Sequence, residues 1–201
     1  MSAIRDTLKF PPLYLLSQAA LGAMRARQRC LQDYAKVRPG MRVLDIGCGP
    51  GYLIEYLPTV SYHGFDISAE YINYATRKYG DRGKFYCQRF DALIAKTLEP
   101  FDLILMAGLL HHLEDREAID LLGLSKQVLG TTGHLVTLDP CYNRGQSRLA
   151  RFLLKKDRGQ SIRDVSGYVG LASRMYSQVD SQVREDLFFV PYTALVMVCS
   201  Q

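Results

Sequence analysis

Cysteine is sparse and unpaired by pattern in this chain. Cys30, Cys48, Cys87, Cys141 and Cys199 make an odd set of five, and no two are spaced as CxxC. A disulfide framework and a structural zinc site therefore have no support, no metal ligand set is expected, and a reducing cytoplasm is the expected compartment. Long apolar runs are lacking too. The stretch from Phe10 to Met24 is broken by Pro11, Pro12, Ser17 and Gln18, which makes it too short and too polar for a membrane span. It has no basic leader, so a secretory signal is not expected. Repeats, low-complexity tracts and interdomain linkers are absent, and one domain over residues 1–201 is the expectation. Hydrophobic residues at 48% and charged residues at 22% exclude disorder of the whole chain. The net charge of +5 is mild and does not by itself imply a nucleic-acid partner.

What is present is an alternation. Leu13, Leu16, Ala20 and Met24, then Leu31 and Tyr34, give a helical period over residues 13–36, ended by Pro39-Gly40. Met41 to Ile46 reads as a strand, Gly47 to Gly51 as a glycine turn and Tyr52 to Leu57 as a helix stopped by Pro58. Tyr62 to Phe65 is a second strand ending at Asp66. Ser68 caps a helix to Tyr79. Lys84 to Cys87 and Phe101 to Ala107 are further strands, the latter apolar throughout, as in a strand buried on both faces. Asp115 caps a helix to Leu129 with Ile119, Leu122 and Leu129 inward, and Gly133 to Leu138 is a fifth strand before Asp139-Pro140. Such an alternation predicts an α/β fold with a parallel sheet covered on both faces. Two late strands, near Ser177 to Asp186 and Tyr192 to Cys199, follow a helical, basic stretch over residues 141–174.

The chemistry concentrates at Val43-Leu44-Asp45-Ile46-Gly47-Cys48-Gly49-Pro50-Gly51. A strand feeds a glycine turn that opens a helix, so a ligand can approach the backbone closely and an anionic group can meet helix amides. A dinucleotide GxGxxG would need glycine where Tyr52 stands; the pattern here is GxGxG with Asp45 two residues ahead. Asp66 lies about 20 residues on, where a carboxylate grips a ribose diol in Rossmann-like sites. Asp91 with Ala92 follows the third strand and is read either as an adenine contact, with Ile67 and Leu93 flanking the ring, or as a helix cap.

These residues, with Phe101-Asp102-Leu103-Ile104-Leu105 and Leu110-His111-His112-Leu113, resemble the class I S-adenosylmethionine-dependent methyltransferases over about Arg42 to Leu138. The C-terminal part, with Asp139-Pro140, Arg148 to Arg158 and Pro191-Tyr192-Thr193, is similar to small bacterial methyltransferases of unassigned substrate. The resemblance implies a Rossmann-like seven-stranded mixed sheet of order 3-2-1-4-5-7-6 with the last strand antiparallel. It implies S-adenosylmethionine as donor and S-adenosylhomocysteine as product. Cofactor contacts are then expected from Asp45, Gly47, Cys48, Gly49, Gly51, Asp66, Ile67, Asp91, Ala92, Met106, Ala107 and His111.

On the acceptor side, His111, His112 and Tyr142 are the candidate catalytic residues, with His111 read as a cofactor contact or a base. Asp139 either touches the acceptor or finishes its strand. Tyr14, Arg148 and Arg151 are candidate substrate contacts. Arg144, Arg148, Arg151, Lys155, Lys156, Arg158 and Arg163 crowd one stretch, in which Leu149, Phe152 and Leu153 form an apolar face. This basic helix is a solvated surface, a lid for an anionic acceptor, or a peripheral membrane contact. An Asn/Asp-Pro-Pro-Tyr run of base or glutamine methylation is absent after the fourth strand, where Met106-Ala107-Gly108-Leu109 stands. A small-molecule acceptor is therefore favoured over RNA or protein, and over a non-catalytic binding module.

Overall fold

The computed structural model describes residues 21–157 and 159–201. Tyr14 and the first part of the expected helix, residues 13–20, lie outside the described residues. Helix α1 (Ala23–Cys30) buries Ala23, Ala26 and Cys30, and a single π turn over Leu31–Ala35 ends at Lys36, whose φ is 47°. Then follow β1 (Arg42–Ile46), a 3-10 turn (Tyr52–Tyr56), β2 (Ser61–Asp66), α2 (Ala69–Tyr79), β3 (Gly83–Cys87), the short α3 (Ala92–Ala95) and β4 (Phe101–Ala107). A second 3-10 turn (Leu110–His112) leads to α4 (Asp115–Gln127) and β5 (Leu129–Pro140). The chain ends with α5 (Arg148–Lys156), α6 (Val165–Ala172), β6 (Gln178–Arg184) and β7 (Ala194–Ser200).

The seven strands form one sheet of order β3-β2-β1-β4-β5-β7-β6. Strands β1 to β5 pair in parallel, and β7 runs antiparallel to both β5 and β6. Strand direction sets the core. With side chains alternating at a period of two, Leu44, Ile104 and Met106 enter the cluster beneath α4 and α6, while Val43, Leu103 and Leu105 enter the one shared with α1 and the first 3-10 turn. The parallel strands β1 and β2 carry wholly buried cores, as expected of strands covered on both faces.

Three local expectations need correction. Glu114, not Asp115, precedes α4: the Glu117 carboxylate accepts from the Glu114 amide at 3.4 Å, and an acid at each end of this box leaves Asp115 in the first turn. Leu129 belongs to β5 rather than to α4, because β5 begins earlier than Gly133 and bulges opposite Phe101 and Leu103. Within α5 the packed residues are Ala150 and Leu154. They lie four apart on one row of the helix, which turns Leu149 and Phe152 outward, 53% and 54% exposed.

Candidate active site

The strand order reverses between β1 and β4, and ligands of open α/β sheets bind beyond the strand ends at such a switch point. A narrow cleft opens there, lined by Arg27, Asp45, Gly47, Cys48, Gly49 and Ala107 among others. Its floor is the loop after β1. The Gly47 and Cys48 amides donate to the Phe65 carbonyl at 2.8 and 3.0 Å, which pins the loop to the end of β2. Gly47, Gly49 and Gly51 all have left-handed φ, of 76°, 55° and 75°. Their reasons for being glycine differ. A Cβ on Gly51 would meet Phe85 at 2.7 Å and Ala75 at 3.0 Å, so this position serves packing of the loop on α2 and β3 rather than the cleft. A Cβ on Gly49 would meet nothing within 4 Å, so its open side is the cleft side.

Asp45 is buried, and one of its carboxylate oxygens accepts from the Tyr62 hydroxyl at 2.6 Å. Among the described residues the other oxygen, Oδ1, has no hydrogen-bond partner. Burial pushes the Asp45 carboxyl up to about 6, against the pull of the Tyr62 hydrogen bond and of Arg27. Burial and then the Asp45 carboxylate also push the Tyr62 hydroxyl well up. Burial, with Asp45 and Asp66 nearby, raises the Cys48 thiol well above its usual range, so it stays protonated and unreactive. Arg27 from α1 was not anticipated. Its guanidinium donates to the Ala107 carbonyl at the end of β4 at 3.4 Å and lies over the Tyr52 ring at 5.8 Å from the centroid. No spacing rule connects a helix residue to that strand end.

Asp66 takes up a structural task. It accepts from the Gly49 amide at 2.9 Å and from the Ser68 amide at 2.8 Å, and thereby clamps the glycine loop to the start of α2. Asp91 caps α3, accepting from the Leu93 and Ile94 amides at 2.9 Å each, so the capping alternative is the geometry found. Ala92 is the first residue of that helix. Ile67 and Leu93 stand 78% and 75% exposed. Met106 is fully buried in the core under α4, since alternation along β4 turns it away from the cleft that Ala107 lines.

The acceptor side is assembled by long-range contacts. His111 is buried and its Nδ1 lies 2.8 Å from Asp139 Oδ1, which also accepts from the His111 backbone amide at 3.2 Å. A carboxylate can only accept, so Nδ1 carries the hydrogen. Nε2 faces Asp157 Oδ1 at 3.5 Å, at the end of α5. Tyr192 donates to the other Asp157 oxygen at 2.5 Å, and burial followed by this carboxylate pushes its hydroxyl far up. Asp139 Oδ2 is buried without a hydrogen-bond partner among the described residues. His112 is exposed, its ring 4.0 Å from that of His111. Tyr142 is half-buried under the Arg151 guanidinium, 5.9 Å from its ring centroid. Arg148 is exposed. Arg163 does not belong with the free cations: it donates to Asp115 and to the carbonyls of Leu110, Leu113 and Ser161, stapling the second 3-10 turn.

The residues present fit a donor that carries positive charge beside a sugar. Asp45 offers an unmatched buried oxygen, Gly49 leaves its side of the loop open, and Asp66 is bonded to the Gly49 amide. Comparison with known proteins agrees. A methyltransferase-domain family profile matches residues 15–179. The chain is 33% identical over 98 residues to the cyclopropane-fatty-acyl-phospholipid synthase of Escherichia coli K12, covering 45% of this chain and 24% of that protein. It is 35% identical over 95 residues to the ubiquinone biosynthesis O-methyltransferase of Xylella fastidiosa, covering 43% of this chain and 39% of that one. The chain thus spans well under half the length of these curated relatives. The fold of a TehB-like SAM-dependent methyltransferase from Corynebacterium glutamicum superposes with a TM-score of 0.59 at 19% identity, over 88% of this chain and 87% of that one. With the profile spanning most of its length, this chain belongs to the class I S-adenosylmethionine-dependent methyltransferases.

Proposed function

We propose that this protein transfers a methyl group from S-adenosylmethionine to a small-molecule acceptor that carries an anionic or lipid-borne group. The observation that carries the donor half is the buried Asp45 oxygen without a partner, set beside the open face of Gly49. Bound there, S-adenosylmethionine supplies an electrophilic methyl on a sulfonium. Asp45 receives positive charge, Asp66 accepts from the ribose hydroxyls, and Ile67 and Leu93 offer exposed aliphatic surface to the adenine edge. Asp91 contributes by holding the turn that carries Ala92 and Leu93, since its Oδ1 is engaged as a cap.

On the other side, His111 is the residue suited to take a proton from an oxygen or nitrogen acceptor. Asp139 fixes its ring with the hydrogen on Nδ1, and Nε2 is the accepting nitrogen once the acceptor displaces the Asp157 carboxylate that faces it at 3.5 Å. The acceptor then gains the methyl and gives its proton to Nε2, while S-adenosylhomocysteine leaves. Base help of this kind contributes ~10²–10⁴-fold. Aligning the reactants and excluding water contributes the larger part. Arg148 and Arg151 on α5, with Tyr142 beneath Arg151, offer cations for a phosphate or carboxylate on the acceptor. The names of the two curated relatives, a phospholipid synthase and a ubiquinone-pathway enzyme, support an acceptor with lipid character. The membrane-surface variant of this reading places such an acceptor in a bilayer.

Calorimetry with S-adenosylhomocysteine, S-adenosylmethionine and NAD tests the donor half: binding of the first two and none of the third is expected. Tight NAD binding with no response to the adenosyl ligands sinks it. A metabolite and lipid extract incubated with radiolabelled donor tests the acceptor half, with label expected in an anionic or lipid fraction. Label in RNA or protein alone would overturn that part.

A further inference from the structure

Helix α5 presents more surface than the acceptor contacts proposed for Arg148 and Arg151 would use. Its inner row, Ala150 and Leu154, is buried. The outer arc carries Leu149 and Phe152, 53% and 54% exposed, interleaved with exposed Arg148, Arg151, Lys155 and Lys156. At about 100° per residue Phe152 points away from the Ala150 and Leu154 row, with Lys156 and Arg148 to either side. The Lys156 ammonium lies 5.9 Å from the Phe152 ring centroid, so the apolar tip and the charge share one spot. The neighbouring loop exposes Phe189, at 67%, beneath Arg25 of α1, whose guanidinium lies 5.6 Å from the ring centroid and donates to the Asp186 and Leu187 carbonyls. That loop is tied to the end of α5, because Phe188 packs on Tyr192 at 4.7 Å and Tyr192 donates to Asp157.

We propose that the outer arc of α5 is a docking face for the anionic surface of a phospholipid bilayer. Charge alone would suit any polyanion. The exposed leucine and phenylalanine select among them, because aliphatic and aromatic tips gain free energy by entering the acyl boundary while lysine and arginine beside them meet phosphate headgroups. No helix among the described residues is long and apolar enough to cross a membrane, so contact of this face would be peripheral. The helix also ends on the site. Asp157, directly after Lys156, faces His111 Nε2, so a bilayer under α5 lies next to the place where the acceptor must enter. This last step rests on the proposed methyl transfer; the docking itself does not.

Sedimentation with sucrose-loaded vesicles tests it, using phosphatidylcholine alone and phosphatidylcholine mixed with phosphatidylglycerol. The wild-type chain is expected to pellet with the anionic vesicles only, and to be released as salt rises. Charge reversal in the double variant K155E/K156E should weaken partitioning by at least about 25-fold, from about fivefold per cation. Phe152→Ser should weaken it by about tenfold without changing its salt dependence. S-adenosylhomocysteine affinity, measured by calorimetry on the same proteins, should stay within about twofold of wild type. Equal or absent binding to the two vesicle types, or variants that pellet like wild type, would overturn the docking face. So would release by millimolar inorganic phosphate at constant ionic strength, which marks a site for a soluble anion, or retention by RNA without vesicle binding. A wild-type chain that binds vesicles and no adenosyl ligand instead overturns the methyl-transfer reading and leaves docking standing.

Discussion

Two aspartates at the carboxyl ends of strands are buried on opposite sides of the switch point, Asp45 on β1 and Asp139 on β5, at 1% and 2% exposure. Each has one oxygen engaged and one without a hydrogen-bond partner among the described residues. The engaged oxygens differ in what they meet. Asp45 accepts from a tyrosine that burial keeps protonated, so this partner brings no exchangeable charge near neutrality. Asp139 accepts from the Nδ1–H of an imidazole whose other nitrogen faces Asp157. The first arrangement suits holding a cation that arrives with the ligand. The second suits moving a proton. In the proposed reaction one fold thus assigns binding to one strand end and acid-base work to another, by the identity of a single partner.

The sharpest way to break this contrast is Asp139→Asn. Its amide cannot hold His111 in the same tautomer, so methylation of the labelled extract component should fall by ~10²–10⁴-fold. Calorimetric S-adenosylhomocysteine affinity should barely move. Equal loss in both would show that Asp139 supports the cofactor side. Asp45→Asn should do the reverse and weaken S-adenosylhomocysteine by about 100-fold, because a charge-assisted contact to a buried oxygen is lost.

The same residue predicts a pH dependence. The Asp45 carboxyl is held at about 6, above its ordinary value of 3.8, so the ligand-free fold binds this proton more tightly than the unfolded chain does. Its contribution to stability is therefore fully present below about pH 4, declines as pH rises from about 4 to about 6, and is level beyond. A cationic ligand prefers the ionised form, so affinity for S-adenosylmethionine, with its sulfonium and α-ammonium, should rise between pH 5 and pH 7. Thermal melts and calorimetry across that range check both signs, with Asp45→Asn as the flat reference.

Smaller effects sharpen the picture inside the glycine loop. Gly51→Ala should destabilise the fold by about 2–3 kcal/mol, from a left-handed φ together with the collision with Phe85 and Ala75. Gly49→Ala has the φ strain without the collision and should cost about 1 kcal/mol of stability. Its larger effect should fall on ligand affinity. Urea titration and calorimetry of the pair separate the two roles, and equal loss of stability would erase the distinction. Outside the loop, Arg163→Met should cost about 1–2 kcal/mol in a urea titration through lost hydrogen bonds to the 3-10 turn.

The sheet order and the glycine loop were legible because their signals are local. Period-two strands, Pro and Gly stops, and an acid two residues ahead of a glycine turn all lie within a few neighbours. The acceptor side lacks such signals. His111 meets Asp139 and Asp157, and Asp157 meets Tyr192, only after the chain has passed through β5, α5 and β6, and no spacing rule joins them. Arg27 is hidden for the same reason, since it reaches Ala107 from the far end of the sequence. The basic stretch misled in a different way. Counting cations placed Arg163 beside Arg148, but carbonyls and Asp115 occupy it. Charge is readable from sequence, whereas its availability depends on which backbone groups happen to be nearby.

That staple has one more consequence. Tyr142 pairs in parallel with Asp164, its amide donates to the Arg163 carbonyl at 3.0 Å, and Arg163 is fastened to the turn before α4. The chain therefore leaves the sheet after Pro140 and is fastened again by Arg163, with α5 held in the loop between two fixed posts. Segments of other lengths and chemistries could be grafted between those posts while the glycine loop and the strand order stay as they are. Such a layout lets a lineage, or an engineer, change the clientele of the enzyme without rebuilding its engine.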